Sequence, residues 1–147
     1  GMAGFRIGML AGAAGQVQSL RRACSPYNVN GVALACLPAA LADQEYVRQY
    51  VAEVRSSRSR LQGEFAALGV PFWPSQANFV LARIGARHAD FVRGMKARGI
   101  LVRDRSSDRG CEGCVRITAG WQAHTDRLLT ELHETLKEIG WAERTPA

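Results

Sequence analysis

Apolar side chains recur every three or four positions along residues 43–68, a spacing that places them on one face of an α-helix. The charged residues of this segment fall largely on the other faces. Gly69 follows the last apolar position, and glycine is the residue that most often follows the end of a helix. The pattern predicts one long helix from Asp43 to Leu68, with a buried stripe of Val47, Tyr50, Val51, Val54, Leu61, Phe65 and Leu68.

Weaker versions of the same pattern predict four further helices. Pro26 ends the first, because proline disfavours helical backbone at the residue before it. The second has Pro38 in its interior, and we expect it to run on into the long helix. Gly99 ends the third. The predicted ranges are 16–22, 30–42, 87–98 and 122–140.

Short apolar runs bounded by turn residues predict three strands, at 78–82, 100–103 and 115–118. Residues 1–12 are predicted to be a strand or an extended segment, and residues 71–74 an extended break. The order of elements favours an α/β sandwich, in which a small mixed sheet of three to four strands packs against helices on one side. We expect a right-handed parallel crossover between the first two strands, and an antiparallel hairpin between the last two.

Length and charge narrow the class of protein. The chain has 147 residues, the length of one domain, and it contains no apolar run that approaches a membrane span. Its start lacks the pattern of a secretory signal, so we expect a cytoplasmic protein without a membrane partner. The net charge of +6 comes from 17 arginines and 2 lysines against 13 acidic residues. These arginines alternate with acidic and amide residues and form no continuous stripe, so we expect no nucleic-acid partner.

Four cysteines are present, and none is expected to bind a metal. Cys24 and Cys36 are interpreted as small buried hydrophobic residues. Cys111 and Cys114 form a CxxC motif in a glycine-rich turn, with neither a second cysteine pair nor a nearby histidine pair to complete a zinc site. We therefore predict a turn with two thiols in a reducing compartment.

Arg116 is the most informative candidate for chemistry. It lies inside an apolar strand, where a guanidinium is costly unless it meets an anion. Arg103 ends the preceding strand, so the two side chains are candidates to project toward one anionic group. Arginine suits that role because its planar fork binds carboxylate or phosphate through two hydrogen bonds and stays charged. The alternative is an ordinary ion pair with an acidic residue of the intervening loop, Asp104, Asp108 or Glu112.

Five segments, in order, resemble the C-terminal part of the class I/II-fold aminotransferases, enzymes that depend on pyridoxal phosphate, and in particular the histidinol-phosphate aminotransferases. The match runs through nearly the whole chain, and five segments in register are much stronger evidence than any one of them. They are Ala3-Gly4-Phe5-Arg6-Ile7-Gly8, Pro26-Tyr27-Asn28-Val29-Asn30, Ser75-Gln76-Ala77-Asn78-Phe79-Val80-Leu81, Gly99-Ile100-Leu101-Val102-Arg103-Asp104 and Val115-Arg116-Ile117-Thr118-Ala119-Gly120.

The resemblance implies a role for four residues. Arg6 would bind the phosphate of the cofactor, and Arg116 would bind the carboxylate or phosphate of the amino donor and acceptor. Arg103 would assist at the substrate phosphate. Asn78 would support the active-site face of its strand, in a structural or a direct role.

Other parts of the chain bear on the resemblance. Tyr27 and Asn28 would line a junction between domains or subunits. Two features depart from the family pattern as we understand it. Trp121 stands where a small capping residue is expected before the last helix, and the CxxC turn is an addition.

The resemblance also implies a lysine that this sequence lacks. In the family, the lysine that forms a Schiff base with pyridoxal phosphate lies a few residues before the position of Arg6. The two lysines present, Lys96 and Lys137, are predicted to be solvated surface charges. We therefore assign no catalytic residue, and we expect the chain by itself to be inactive and to bind no pyridoxal phosphate.

The implied function is amino transfer between histidinol phosphate and 2-oxoglutarate. Residues 1–30 would be a remnant of the large domain with a linker, 31–141 the small domain and 142–147 a tail. The expected partner is the large domain of the same enzyme or a second copy in a homodimer. Three alternatives stay open: the small domain of a threonine-phosphate decarboxylase, that of an aromatic aminotransferase, and a non-catalytic domain that self-associates.

Overall fold

The structure, a computed structural model, describes residues 2–141. The chain divides into two units, the first ending at Val47 and the second beginning at Arg48. The predicted tail at 142–147 lies outside the described residues. The assignment of 1–30 to a large-domain remnant and of 31–141 to a small domain stays a prediction.

The first unit is built from helices. One turn of 3-10 helix spans Ala3–Phe5, and two α-helices follow, α1 (Ala14–Ala23) and α2 (Gly31–Ala42). A strand or an extended segment was predicted over residues 1–12; no strand forms within residues 2–12, so the first of these alternatives is wrong. The glycine and alanine that fill this segment are weak strand formers, because they offer little side chain to pack on a sheet.

A break at Asp43 separates α2 from the long helix α3 (Gln44–Ala67). The backbone of Asp43 is not helical, with φ −82° and ψ 64°. Its carboxylate accepts a hydrogen bond from the Tyr46 N–H at 3.1 Å, which is how an aspartate starts a new helix. The long helix is confirmed, but the expected continuous run from α2 into it is wrong.

A four-stranded sheet lies in the second unit. Its strands β1 (Phe72–Trp73), β2 (Phe79–Arg83), β3 (Arg103–Asp104) and β4 (Cys114–Thr118) lie in the order β1-β2-β4-β3. Every neighbouring pair is antiparallel, so the hairpin of the last two strands is confirmed and a mixed sheet is wrong. The parallel crossover was expected to place β2 and β3 next to each other. The two strands do run in the same direction, but β4 lies between them, so they do not pair. The strand β1 lies within residues 71–74, which were predicted to be an extended break.

Left-handed glycines follow α3 and the two later helices, α4 (His88–Ala97) and α5 (Gln122–Glu138). These are Gly69, Gly99 and Gly140, with φ of 65°, 76° and 69°. After each of them the next N–H reaches back to a carbonyl of the last turn, the arrangement of a Schellman motif. The helix ends predicted at Gly69 and Gly99 are confirmed.

The same cap shortens β3. The Ile100 N–H donates to the Met95 carbonyl at 2.9 Å, so the backbone of Ile100 completes the end of α4. The strand predicted over 100–103 therefore begins only at Arg103.

The hydrophobic core lies between the three helices of this unit and one face of the sheet. Alternate residues of a strand point to opposite faces, and the positions of β2 and β4 that face the helices are buried. On the other face of these two strands only Cys114, at the start of β4, is buried as well. Helices on one side of a small sheet are what the sequence predicted. The main core residues are Leu61, Phe65, Val80, Ala82, Phe91, Met95, Val115, Ile117, Leu132 and Leu136.

Trp121 precedes α5 but supplies no side-chain hydrogen bond to its first turn. The carboxylate of Glu53, on α3, accepts a hydrogen bond from the Gln122 N–H at 2.9 Å instead. A negative charge is favourable at the N-terminus of a helix, where backbone N–H groups lack partners. The ring of Tyr50 also meets Trp121 edge to face, with centroids 5.3 Å apart. The unusual residue before α5 is thus accommodated by α3.

Gly94 allows α4 to approach α5 closely. A methyl group on Gly94 would lie 2.8 Å from Cγ2 of Thr135. Thr135 is fully buried, and its hydroxyl donates to the Glu131 carbonyl at 2.7 Å, which holds the methyl group in place. Gly63 lies on the exposed side of α3, and a methyl group there would meet nothing within 4 Å.

We expect the same substitution to act in opposite directions at these two glycines. Gly94→Ala should lower the free energy of unfolding by about 1 kcal/mol, because overpacking outweighs the gain in helix propensity. Gly63→Ala should raise it by about 0.5–1 kcal/mol. Urea unfolding of the two variants measures both. Equal stabilisation by both substitutions would contradict the close contact between α4 and α5.

Candidate anion-binding site

The face of the sheet that the helices leave open carries both candidate strand arginines. Residues directly opposite each other on neighbouring strands point to the same face. The register pairs Trp73 with Leu81, Leu81 with Arg116, and Arg116 with Arg103. These four side chains form one row across the sheet, and the structure brings Arg103 and Arg116 together as predicted.

The strand around Arg116 is largely buried, as the apolar pattern predicted, but Arg116 itself is only half-buried. Its neighbours along β4, Val115 and Ile117, point into the core, while Arg116 points the other way. The guanidinium carbon lies 5.2 Å from the centroid of the Phe79 ring. Such a cation–π contact contributes about 0.5–1 kcal/mol at an exposed site. Phe79 thus supports the cation without neutralising it.

The acidic residues of the loop are engaged elsewhere. Asp108 pairs with Arg105, and Glu112 accepts a hydrogen bond from the Gly110 N–H at 3.2 Å. Asp104 accepts from the N–H and the hydroxyl of Ser106 at 2.8 and 2.6 Å. Within residues 2–141 no ion pair includes Arg103 or Arg116, so the alternative of ordinary ion pairs is not what the structure shows.

A groove of about 520 Å³ contains both arginines. The hydrogen bonds from Ser106 hold the pKa of Asp104, also in the groove, below its ordinary value, so this carboxylate is ionised at neutral pH. Two guanidinium groups and one carboxylate leave the groove with a net positive charge. Its lining residues are Val92, Leu101, Val102, Arg103, Asp104, Arg116 and Thr118.

Asn78 lies outside that groove. It is exposed and directly precedes β2, and its backbone carbonyl accepts a hydrogen bond from the Ala119 N–H at 2.9 Å. The segment before it is fixed by α3, because Arg58 donates to the Ala77 carbonyl at 2.9 Å. Its backbone therefore joins the start of β2 to the end of β4, and a direct role for its side chain stays a prediction.

Arg6, in the first unit, is exposed and has an unusual backbone. Its φ is 53°, and among residues 2–141 every other residue with positive φ is a glycine. A left-handed conformation costs a residue with a side chain about 1–2 kcal/mol. No ion pair includes Arg6 within the described range, so its guanidinium is open to an anion.

The remaining candidate groups add no second site. The CxxC turn is closed by a hydrogen bond from the Cys114 N–H to the Cys111 carbonyl at 2.9 Å, and burial raises the pKa of the Cys114 thiol. Among the described residues no group of three or more histidine, cysteine, aspartate or glutamate side chains is placed to hold a metal. In the same range no helix has the length and apolar character needed to cross a bilayer. Lys96 and Lys137 are exposed on α4 and α5, as expected.

Comparison with known proteins places this arrangement in a family. The family model for aminotransferase class I and II matches residues 1–136. The chain belongs to the class I and II aminotransferases. A histidinol-phosphate aminotransferase of Symbiobacterium thermophilum is 36% identical over 138 residues, which are 94% of this chain and 38% of that protein. The chain therefore spans well under half the length of this relative.

Solved structures share the fold of this chain. The crystal structure of a histidinol-phosphate aminotransferase from Sinorhizobium meliloti, in complex with pyridoxal-5'-phosphate, matches with a TM-score of 0.71 and 27% identity, over 86% of this chain and 35% of the other. An L-threonine-O-3-phosphate decarboxylase from Porphyromonas gingivalis matches with a TM-score of 0.59 and 24% identity, over 77% and 36% of the two chains. The second likeness concerns the fold alone.

Two features of the site were missed by the sequence reasoning. Phe79 was predicted only as a residue of a strand and of a motif, although it supports Arg116. Leu101 was predicted to be a strand residue, although it lines the groove and is 82% exposed. Alternation along a strand signals which residues share a face, but the partner across the sheet depends on register, which a single sequence does not show.

Proposed function

We propose that this chain supplies the anion-binding residues of a pyridoxal-phosphate-dependent aminotransferase that transfers an amino group between histidinol phosphate and 2-oxoglutarate. The observation that carries the proposal is the pair Arg103 and Arg116, opposed on the open face of the sheet in a chain of this family. Because the chain spans 38% of the relative from Symbiobacterium thermophilum, the activity belongs to the longer enzyme of which this chain forms a part.

The substrate anion is held at the groove of Arg103 and Arg116. A phosphate monoester carries close to two negative charges at neutral pH and has three acceptor oxygens, so it can engage two guanidinium forks at once. A carboxylate has two oxygens and satisfies one fork. Arg116 serves the carboxylate of 2-oxoglutarate and, with Arg103, the phosphate of histidinol phosphate. Phe79 keeps the guanidinium of Arg116 aimed along the open face.

Arg6 is the residue suited to the cofactor. Its exposed, unpaired guanidinium fits the phosphate end of pyridoxal phosphate by charge and by hydrogen-bond geometry. When bound, the cofactor supplies the carbonyl group and the electron-accepting ring on which the amino group is carried. The exposed Lys96 and Lys137 have no part in this proposal, and the chain by itself is inactive.

The partner of the first unit covers its exposed apolar side chains. Met9 is 96% exposed and Tyr27 is 94% exposed, and exposed apolar side chains grouped in one segment are typical of surfaces that bind another protein surface. We assign this surface to the large domain of the same enzyme or, in its absence, to a second copy of this chain. Further members are Leu10, Leu20, Val32, Leu34 and Leu41.

The activity is testable in a chimera that joins this chain to the remaining part of the relative from Symbiobacterium thermophilum. We expect amino transfer from histidinol phosphate to 2-oxoglutarate. Arg116→Gln should lower kcat/KM about 100-fold, because two charged hydrogen bonds are lost. Arg83→Gln, on the same face but outside the groove, should change it less than twofold.

Product analysis separates the alternatives. Release of carbon dioxide from threonine phosphate without amino transfer would replace the proposed activity by that of a decarboxylase. A preference for aromatic amino acids over histidinol phosphate would make the enzyme an aromatic aminotransferase. If the Arg83 and Arg116 substitutions lowered kcat/KM equally, the groove would not be the place where the substrate anion binds.

We also expect the isolated chain to self-associate. Light scattering over a series of protein concentrations should show a mass that rises from that of one chain to that of at least two. Tyr27→Ser should weaken this association, since it removes a fully displayed aromatic surface. A constant monomer mass across the series would count against the proposed surface.

A further inference from the structure

Arg6 has a left-handed backbone conformation that something in the structure must stabilise. In residues 2–141 the other left-handed positions are glycines, which adopt this conformation without steric cost. Arginine pays that cost, and such a conformation persists only where the surroundings over-determine it. The peptide group before Arg6 is hydrogen-bonded within its own turn of 3-10 helix and to the residue that begins α2.

The peptide group before Arg6 is one of the two that define its φ. The carbonyl of Phe5 and the N–H of Arg6 belong to the same planar unit, so fixing both of its ends fixes its orientation. The Arg6 N–H donates to the Ala3 carbonyl at 3.2 Å. The Phe5 carbonyl accepts a hydrogen bond from Nδ2 of Asn30 at 2.8 Å. The hydrogen bond from Asn30 joins residues 25 positions apart, so this end of the peptide group is held by a side chain distant in the sequence.

Asn30 is itself fixed by the helix that it begins. Its Oδ1 accepts a hydrogen bond from the Ala33 N–H at 2.7 Å, which makes it the N-cap of α2. The amide group is thus held at both ends, by α2 through its oxygen and by the peptide before Arg6 through its nitrogen. Serine and aspartate cap helices as well as asparagine does, but neither carries an N–H₂ group that can donate in this way.

We propose that Asn30 is a positioning residue for Arg6: it ties the peptide before Arg6 to the first turn of α2 and thereby holds the guanidinium in place for a phosphate group. The proposal rests on the function proposed above for Arg6. The tether accounts for an asparagine at this position, whereas capping of α2 alone would be met equally by serine.

The test uses the full 147-residue chain and two substitutions. Asn30→Ser keeps an oxygen that can cap α2 and loses the donor to Phe5 without a change of charge. Asn30→Ala loses both. In each variant the backbone chemical shifts and the HN–Hα coupling of Arg6 report its φ, and the amide signal of Ala33 reports the cap. Titration with inorganic phosphate, followed at the Nε–H signal of Arg6, reports anion binding, with Arg6→Gln as the variant that lacks the guanidinium.

For Asn30→Ser we expect an intact cap, loss of the left-handed conformation at Arg6 and about fivefold weaker phosphate binding at its side chain, the effect of losing one hydrogen bond. Asn30→Ala should add loss of the cap. If Arg6 keeps its positive φ and its phosphate response in Asn30→Ser, the proposal is wrong. If its φ changes while phosphate binding by the chain is the same in Asn30→Ser, Arg6→Gln and the parent, the tether is supported and the phosphate role of Arg6 is overturned.

Discussion

The one-sided burial of the sheet is the constraint on which the second unit depends. Helices α3, α4 and α5 supply enough apolar surface to cover one face of four short strands, and the alternate residues Val80, Ala82, Val115 and Ile117 are buried there. The positions between them must then face away from the helices. Arg116 therefore carries its charge on the open face, where the penalty for an unpaired guanidinium is smaller than in the core. The sheet presents its two arginines without enclosing them in the core.

A neutral contact orients Arg116 and leaves the hydrogen-bonding edges of its guanidinium group unpaired among the described residues. Arg116 rests against the ring of Phe79, and the nearby loop carboxylates are engaged by Ser106, Arg105 and a backbone N–H. An arginine already paired with a carboxylate would bind a phosphate only by breaking that pair. An arginine held by an aromatic ring and by strand register is positioned in advance, which lowers the cost of binding. The same logic applies within the first unit, where hydrogen bonds to the peptide before Arg6 fix its backbone.

Local chemistry explains which parts of this fold the sequence predicted well. Helix α3 and the glycines after α3 and α4 follow from the spacing of apolar residues and from left-handed caps, which depend on neighbours along the chain. Strand order and register are set by residues far apart in sequence, so the position of β4 between β2 and β3 was missed. The early start expected for β3 failed because Ile100 completes the cap of α4. Arg103 and Arg116 were predicted as a pair, but the support from Phe79 needed the register.

Arginine side-chain NMR of the 147-residue chain, titrated with inorganic phosphate, tests the central claim most directly. If the open face of the sheet binds anions through Arg103 and Arg116, their Nε–H signals should shift together and fit one dissociation constant. The signal of Arg83, on the same face but outside the groove, should change little over that range. A small, uniform response of the arginines, with Arg103 and Arg116 no different from Arg83, would contradict the account.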